Sequence, residues 1–316
     1  MESTLAEKKR VKRNRHPSNK TKFEKIVLIF VFLLIPVSLL ILFTYYPLAS
    51  MINYSLYDWR MLSASAPTLV AFTAKDNYLK FFTNKEYWSV LLVSLFYLIG
   101  SFIQIALALF YAAIFYWKPK GGKFFKGVMF LPSLLNGVAI GLMFLLIFRS
   151  SDDGGVINTI IKHVSGANGS ENDIKFFSSL FLANTILTFV SIWRYMGNNM
   201  VMFAGSMESI SKDLFEAAQI DGANRWQQFI HIILPAIKNI IYLNLILAVN
   251  GALQVYEIPM IMQPTNSYTQ TFIMKTLDVA FVNGKIGLGS AMGICLLLLV
   301  VFIAILQKIL EKKGEK

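Results

Sequence analysis

Six runs of apolar residues dominate this chain, at 26–43, 89–115, 128–148, 177–202, 240–262 and 288–309. The hydrocarbon core of a bilayer is roughly 30 Å thick, and about 20 apolar residues of helix cross it. Lipid offers the backbone no hydrogen-bond partners, so a crossing run must close its own bonds as a helix. A soluble protein hiding six all-apolar helices in one core is the competing reading, and a poor one, since 55% of the 316 residues are apolar and only 15% are charged. The fold class expected is therefore an all-α membrane protein with six transmembrane helices. The first run is too long for a cleaved signal peptide, and five others follow it.

Orientation follows from lysine and arginine, which gather on the cytoplasmic side. The N-terminal tail up to Lys25 holds nine of them. With that tail inside, the 118–126 turn, the 206–238 segment and the C-terminus are inside too, giving 20 cations there against nine in the outer loops. The net charge of +12 thus reads as a topology signal. Attraction to anionic membrane lipid accounts for the basic tail, and no nucleic-acid-binding fold follows it, so no nucleic-acid partner is expected. Cys295 is the single cysteine, which excludes an intrachain disulfide and a cysteine-based metal site. His16, His163 and His231 lack metal-ligand spacing, so no metal is expected. Asn168-Gly169-Ser170 matches a glycosylation acceptor, a pattern too short to weigh.

The chain divides into a basic tail, 1–22, expected to be disordered, a first transmembrane helix, 23–48, an outer loop, 49–87, a five-helix core, 88–310, and a short tail, 311–316. Tyr45, Tyr46, Tyr54, Tyr57 and Trp59 mark the outer exit of the first span as an aromatic belt. Asp152-Asp153-Gly154-Gly155 and Gly166-Ala167-Asn168-Gly169 read as turns in a second outer loop, 149–175. Pro132 and Gly137 are expected to interrupt the third span and Pro259 the fifth. Such breaks are tolerated where helices line a buried or watery cavity.

The core also contains a polar, helix-prone loop, 206–236, between two apolar runs. Ser209 or Ser211 is placed to cap a helix ending near Ile220. Glu216 then falls on a solvent or partner face, while Ala217 and Ala218 permit close packing. Asp221-Gly222 offers a break, because glycine takes positive φ without steric cost. A second helix, from Ala223 to about Ile233, carries Trp226, Phe229, Ile230 and Ile233 at helical spacing. An amphipathic helix lying on the membrane explains that apolar face, but not the spacing of glycine and proline.

That spacing is Glu216-Ala217-Ala218, three residues, Gly222, nine residues, then Ile232-x-Leu234-Pro235. It resembles the EAA loop of the membrane subunits of binding-protein-dependent ABC importers, in their sugar branch. Phe72-x-x-x-Asp76-Asn77-Tyr78, Glu86-Tyr87-Trp88, Phe130-Leu131-Pro132, Trp193 and Ala280-Phe281 with Gly287-x-x-Ser290-Ala291 extend the resemblance over most of 40–310. Gln263-Pro264-Thr265 departs from the Gly-Gly-Pro that the family often carries after its fifth span. The resemblance implies a permease subunit of a type I importer, taking up a sugar or short oligosaccharide. It implies that Glu216, Ala217, Ala218, Asp221 and Gly222 dock in an ATPase cleft. The implied partners are a second homologous permease, against which the first helix packs, two ATPase subunits and an extracellular solute-binding protein. No Gly-x4-Gly-Lys-Ser/Thr loop is present. A non-enzymatic subunit without cofactor is therefore expected, with ATP and Mg held by the partner ATPases.

Polar periodicity suggests a pathway. Asn184, Thr188, Ser191, Tyr195 and Asn198 form one stripe in the fourth span, and Asn250, Gln254 and Glu257 another in the fifth. Ser94, Tyr97, Ser101 and Gln104 form a third in the second span, better read as glue between helices. Family resemblance favours Ser191, Arg194, Tyr195, Asn198, Asn250, Gln254 and Glu257 as substrate-pathway residues. Arg194 and Glu257 are the costly ones within the bilayer. They pair with each other, face a partner subunit or meet a charged cargo, and pairing is the simplest reading. Glycerol phosphate or another phosphorylated polyol is the second cargo to consider. A stand-alone secondary transporter built around Glu257 is the reading from another class.

Overall fold

The computed structural model describes residues 19–63, 66–73, 75–166, 173–263 and 266–314. The basic tail up to residue 18, the acceptor pattern at 168–170, most of the turn at 166–169 and the departure at 264–265 lie outside the described residues. The chain forms two compact units, Met1–Asn53 and Tyr54–Lys316.

In the first unit, α1 (Asn19–Leu40) passes through a π-helical turn, Ile41–Tyr45, into α2 (Tyr46–Ser55). Residues 19–22, expected in a disordered tail, are already helical, because nothing after Pro17 breaks the helix. The stretch Val27–Ser55 is long and apolar enough to cross a bilayer.

The second unit opens with a hairpin that the all-α expectation and the reading of 49–87 as an outer loop did not include. Strands β1 (Tyr57–Ser63) and β2 (Ala66–Phe72) form an antiparallel hairpin, with Tyr57 opposite Phe72 and Trp59 opposite Leu69. Helices α3 (Asp76–Thr83), α4 (Lys85–Ser89) and α5 (Leu91–Tyr116) follow. Next come α6 (Gly122–Leu134), α7 (Gly137–Ile147), α8 (Val156–Ser165) and α9 (Leu180–Glu208). The 206–236 segment contributes α10 (Lys212–Ile220), α11 (Arg225–Gln228), a π-helical turn at Phe229–Ile233 and α12 (Leu234–Ala236). The chain continues through α13 (Lys238–Leu253), α14 (Glu257–Met262), α15 (Phe272–Leu277) and α16 (Ile286–Gly314).

All six apolar runs are helical. Among the described residues, four helical stretches are apolar and long enough to span, or five when α6 and α7, bent by 98°, count as one. The remaining run is α9. At 29 residues it reaches roughly 43 Å, but its polar stripe and Arg194 lower its apolarity.

The breaks fall beside the prolines, not on them. The third span breaks at Leu135-Asn136, where the Asn136 side chain accepts from Val138 N at 2.8 Å and starts α7 afresh. Pro132 sits in the last turn of α6. The fifth span breaks at 254–256, and Pro259 lies in the first turn of α14, where a missing N–H costs nothing.

Close approach of α5 and α9 organises the bundle. A Cβ on Gly100 would stand 2.1 Å from the Thr188 methyl, so only glycine admits that crossing. One apolar core joins Ala108 and Ala112 of α5, Phe203 and Met207 of α9, and Phe215, Phe229 and Ile233 of the 206–236 segment. A second joins Val93 and Tyr97 of α5, Ile140 and Phe144 of α7, Leu187 and Val190 of α9, and Ile258 and Met262 of α14. A third, of Phe81, Phe272, Val279, Leu288 and Met292, ties the outer loops to α16.

Candidate functional site

The 206–236 segment is a built knob. Ser211 caps α10, accepting from Asp213 N at 3.3 Å. At the other end, Gly222 N donates to Gln219 O at 3.1 Å and Ala223 N to Ala218 O at 2.8 Å. These two bonds, with Gly222 at φ +78°, are a Schellman motif, in which glycine takes the left-handed position just past the helix. The spacing from Glu-Ala-Ala to glycine therefore has a physical meaning: Ala218 supplies the carbonyl that the chain folds back to bond. Asn224 then restarts the helix through a reciprocal capping box, with Gln227 N to Asn224 Oδ1 at 2.9 Å and Asn224 N to Gln227 Oε1 at 2.8 Å. The Asn-x-x-Gln spacing was visible in the sequence.

Buried residues fix the knob to the bundle. Phe215 packs beside Tyr116, ring centroids 5.3 Å apart, and Phe229 and Ile233 enter the same core. The buried Gln228 side chain donates to Ala223 O at 3.0 Å. Arg225 lies over the Trp117 ring at 5.9 Å. Trp226, placed by its spacing on the apolar face, is instead 65% exposed and stacks on Phe229. Glu216, Ala217, Asp221 and Gly222 are exposed and Ala218 half-buried. Leu214 and Ile220, the latter 87% exposed, add apolar surface beside them.

The membrane stripes separate into different roles. Asn184 is fully buried and donates to Leu180 O and Tyr268 O, each at 2.8 Å, tying α9 to the last outer loop. Asn266 adds a second tie, to Phe177 O at 2.9 Å. Ser191 donates to Leu187 O on its own helix at 3.0 Å. Ser101 does the same on α5, to Leu98 O. Arg194 Nη1 donates to Glu257 Oε2 at 2.6 Å, with its side chain 12% exposed and that of Glu257 42%. The Arg194 guanidinium also lies 4.9 Å from the Tyr195 ring centroid. A Cβ on Gly137 would stand 2.1 Å from Glu257 Oε1 and 2.3 Å from Arg194 Nη1. The breaks in spans three and five thus meet α9 at this pair. Sequence reading marked the break at Gly137 but not its closeness to the charges. Asn198 and Gln254 are exposed, and Asn250 is half-buried with its Oδ1 buried and without a hydrogen-bond partner. The structure thus joins Arg194, Tyr195 and Glu257; no hydrogen bond links Ser191, Asn198, Asn250 or Gln254 to them among the described residues.

A family profile described as "Binding-protein-dependent transport system inner membrane component" matches residues 104–316. The chain is 26% identical over 291 residues to the probable ABC transporter permease protein YurN of Bacillus subtilis (strain 168), covering 90% of this chain and 96% of the relative. It is 28% identical over 258 residues to the arabinooligosaccharides transport system permease protein AraP of the same strain, covering 79% of this chain and 80% of the relative. Its fold matches a chain of the crystal structure of a bacterial alginate ABC transporter in complex with an alginate pentasaccharide-bound periplasmic protein. The TM-score is 0.77 at 21% identity, covering 94% of this chain and 98% of that one.

Proposed function

We propose that this chain, which belongs to the binding-protein-dependent transport system inner membrane component family, is the permease subunit of an ABC importer for a sugar or short oligosaccharide. It is integral to the membrane, and the charge distribution favours the cytoplasmic membrane with both termini inside. The observation that carries the reading is the knob: Glu216 and Ala217 lie exposed, with Ala218 half-buried beside them, on a two-helix unit whose other face is part of the bundle's core. Glu216, Ala217, Ala218, Asp221 and Gly222 dock in the cleft of an ATPase subunit. Movement of that subunit is delivered to α5 and α9 through Phe215 and Phe229. The chain acts without catalysing a reaction, beside a second permease, two ATPases that hold ATP and Mg, and an extracellular binding protein.

The cargo path runs past Ser191, Arg194, Tyr195, Asn198, Asn250, Gln254 and Glu257. The saccharide named for AraP supports a sugar cargo. The ion pair supports a neutral one, because the cation that a phosphorylated polyol would seek is already held by Glu257 at 2.6 Å. The same bond makes Glu257 a poor proton carrier for a stand-alone transporter. The test is ATP hydrolysis by the chain purified with its partners, across a panel of sugar-loaded binding proteins. Stimulation by one sugar, lost in Glu216→Ala, is expected. Failure of an ATPase to co-purify would overturn the reading.

A further inference from the structure

A cavity of about 290 Å³ lies between the hairpin, α3 and the outer end of α16. Its walls include Arg60, Lys80 and Lys285 against one carboxylate, Asp58, with Tyr87 beside them. Asp58 is already engaged: Arg60 Nε and Nη2 donate to its two oxygens at 3.0 and 2.8 Å. That guanidinium, with Lys80 and Lys285 nearby, holds the Asp58 carboxyl below its ordinary range. Lys80 and Lys285 form no ion pair among the described residues. Asp76, one turn before Lys80, neither pairs with it nor lines the cavity. The cavity therefore carries an excess of two positive charges, with ammonium groups free to bond an anion.

Depth says which anion. Lys285 immediately precedes the apolar span Ile286–Ile309, and Tyr87 lies at the start of the span Lys85–Tyr116. The cavity thus lies beside the ends of two helices long and apolar enough to cross a membrane, and headgroup level is the depth we infer for it. Helix α3 has the matching pattern around its axis. Asn77 and Phe81 are buried, Lys80 and Thr83 face the cavity, and Leu79 (52%) and Phe82 (65%) are exposed on the next arc. A cationic face adjoining an exposed apolar face is the arrangement of a helix lying in the membrane interface.

We propose that this cavity binds the phosphate of an anionic phospholipid in the outer leaflet, with Lys80, Lys285 and Arg60 around the phosphate and Leu79 and Phe82 against the acyl chains. Lysine acts here as a point charge for phosphate, and each lysine near a charged lipid surface is worth about a fivefold change in affinity. The site depends on membrane insertion and not on the identity of the cargo.

The test places the full chain in nanodiscs of equal phosphatidylglycerol and phosphatidylcholine and counts retained lipid by native mass spectrometry. Preferential retention of phosphatidylglycerol is expected. Lys80→Gln with Lys285→Gln should lower it by about 25-fold, while Lys80→Arg with Lys285→Arg keeps it. Lys175→Gln, at another outer-loop lysine, should leave it unchanged and guards against a loss due to net charge alone. Undiminished retention in the double glutamine variant overturns the proposal. Displacement by millimolar inorganic phosphate overturns it in favour of a free anion, and displacement by the purified extracellular binding protein in favour of a protein contact.

Discussion

A charge pair inside a bundle survives only when its geometry offsets the loss of water. Arg194 and Glu257 meet at 2.6 Å, with the Tyr195 ring under the guanidinium and Gly137 leaving room for both. Replacing Arg194 with Met strands Glu257, and the expected loss is about 2 kcal/mol, less than for a fully buried pair because the glutamate is partly exposed. Arg194→Met with Glu257→Met should recover most of it. Thermal unfolding in detergent of wild type, Arg194→Met, Glu257→Met and the double variant measures the coupling, and a double variant as unstable as Arg194→Met alone would show that the pair is not a unit. Gly137→Ala makes the companion case. Its new Cβ would fall on the charges, and a loss of about 1–3 kcal/mol is expected. Gly205→Ala, with nothing within 4 Å of the added carbon, is the control and should stay near wild type.

At the scale of elements, the knob joins a left-handed turn to a capping box, and both halves are needed to hold the Glu-Ala-Ala face in place. Gly222→Ala forces a side chain into φ +78°, at a cost of about 1 kcal/mol. Sugar-stimulated ATP hydrolysis should then fall about fivefold while membrane insertion is unchanged. Phe215→Ala removes the anchor and should cost about 3 kcal/mol, with a larger loss of coupling. An equal fall in insertion would show that these residues serve folding alone. Much of this element was legible beforehand: a cap at Ser209 or Ser211, of which the structure uses Ser211, the end near Ile220 and the break at Gly222 follow from local chemistry. Trp226 was not, because helical periodicity marks a face as apolar without saying what covers it. The hairpin was hidden for another reason. Tyr57–Phe72 has the aromatic and aliphatic content of strands, but its location in a loop between spans argued for irregular structure. The breaks at 135–136 and 254–256 were displaced from Pro132 and Pro259 because proline is tolerated near helix ends.

At the scale of the molecule, two side chains tie the residues around 149–151 to those around 173–174: Asn158, which donates to Arg149 O and Ile174 O and accepts from Ile174 N, and Asp173. Asp173 accepts from the Ser150 hydroxyl at 2.7 Å and from Ser151 N at 2.6 Å, and these bonds hold its carboxyl below the ordinary 3.8. A lowered folded value means that the stabilisation is complete above 3.8 and lost as pH falls through the lower, folded value. Hydrogen exchange of 149–166, taken relative to the intrinsic amide rate at each pH, should therefore be flat from pH 7 to about 4 and rise only in stronger acid. Asp173→Asn should exchange faster and show no such rise. A rise already at pH 6 would assign the tie to another group. Inside the bundle, α9 runs unbroken for 29 residues between its outer ties at Asn184 and the core beside Phe215. The Arg194 pair lies between them. Three fittings on one rigid rod must keep their angular phase, as lobes do on a camshaft. A single residue inserted between Asn184 and Arg194 would turn one end by about 100° and shift it by about 1.5 Å against the other. The length of this rod in register is therefore fixed by the fittings at its middle and ends.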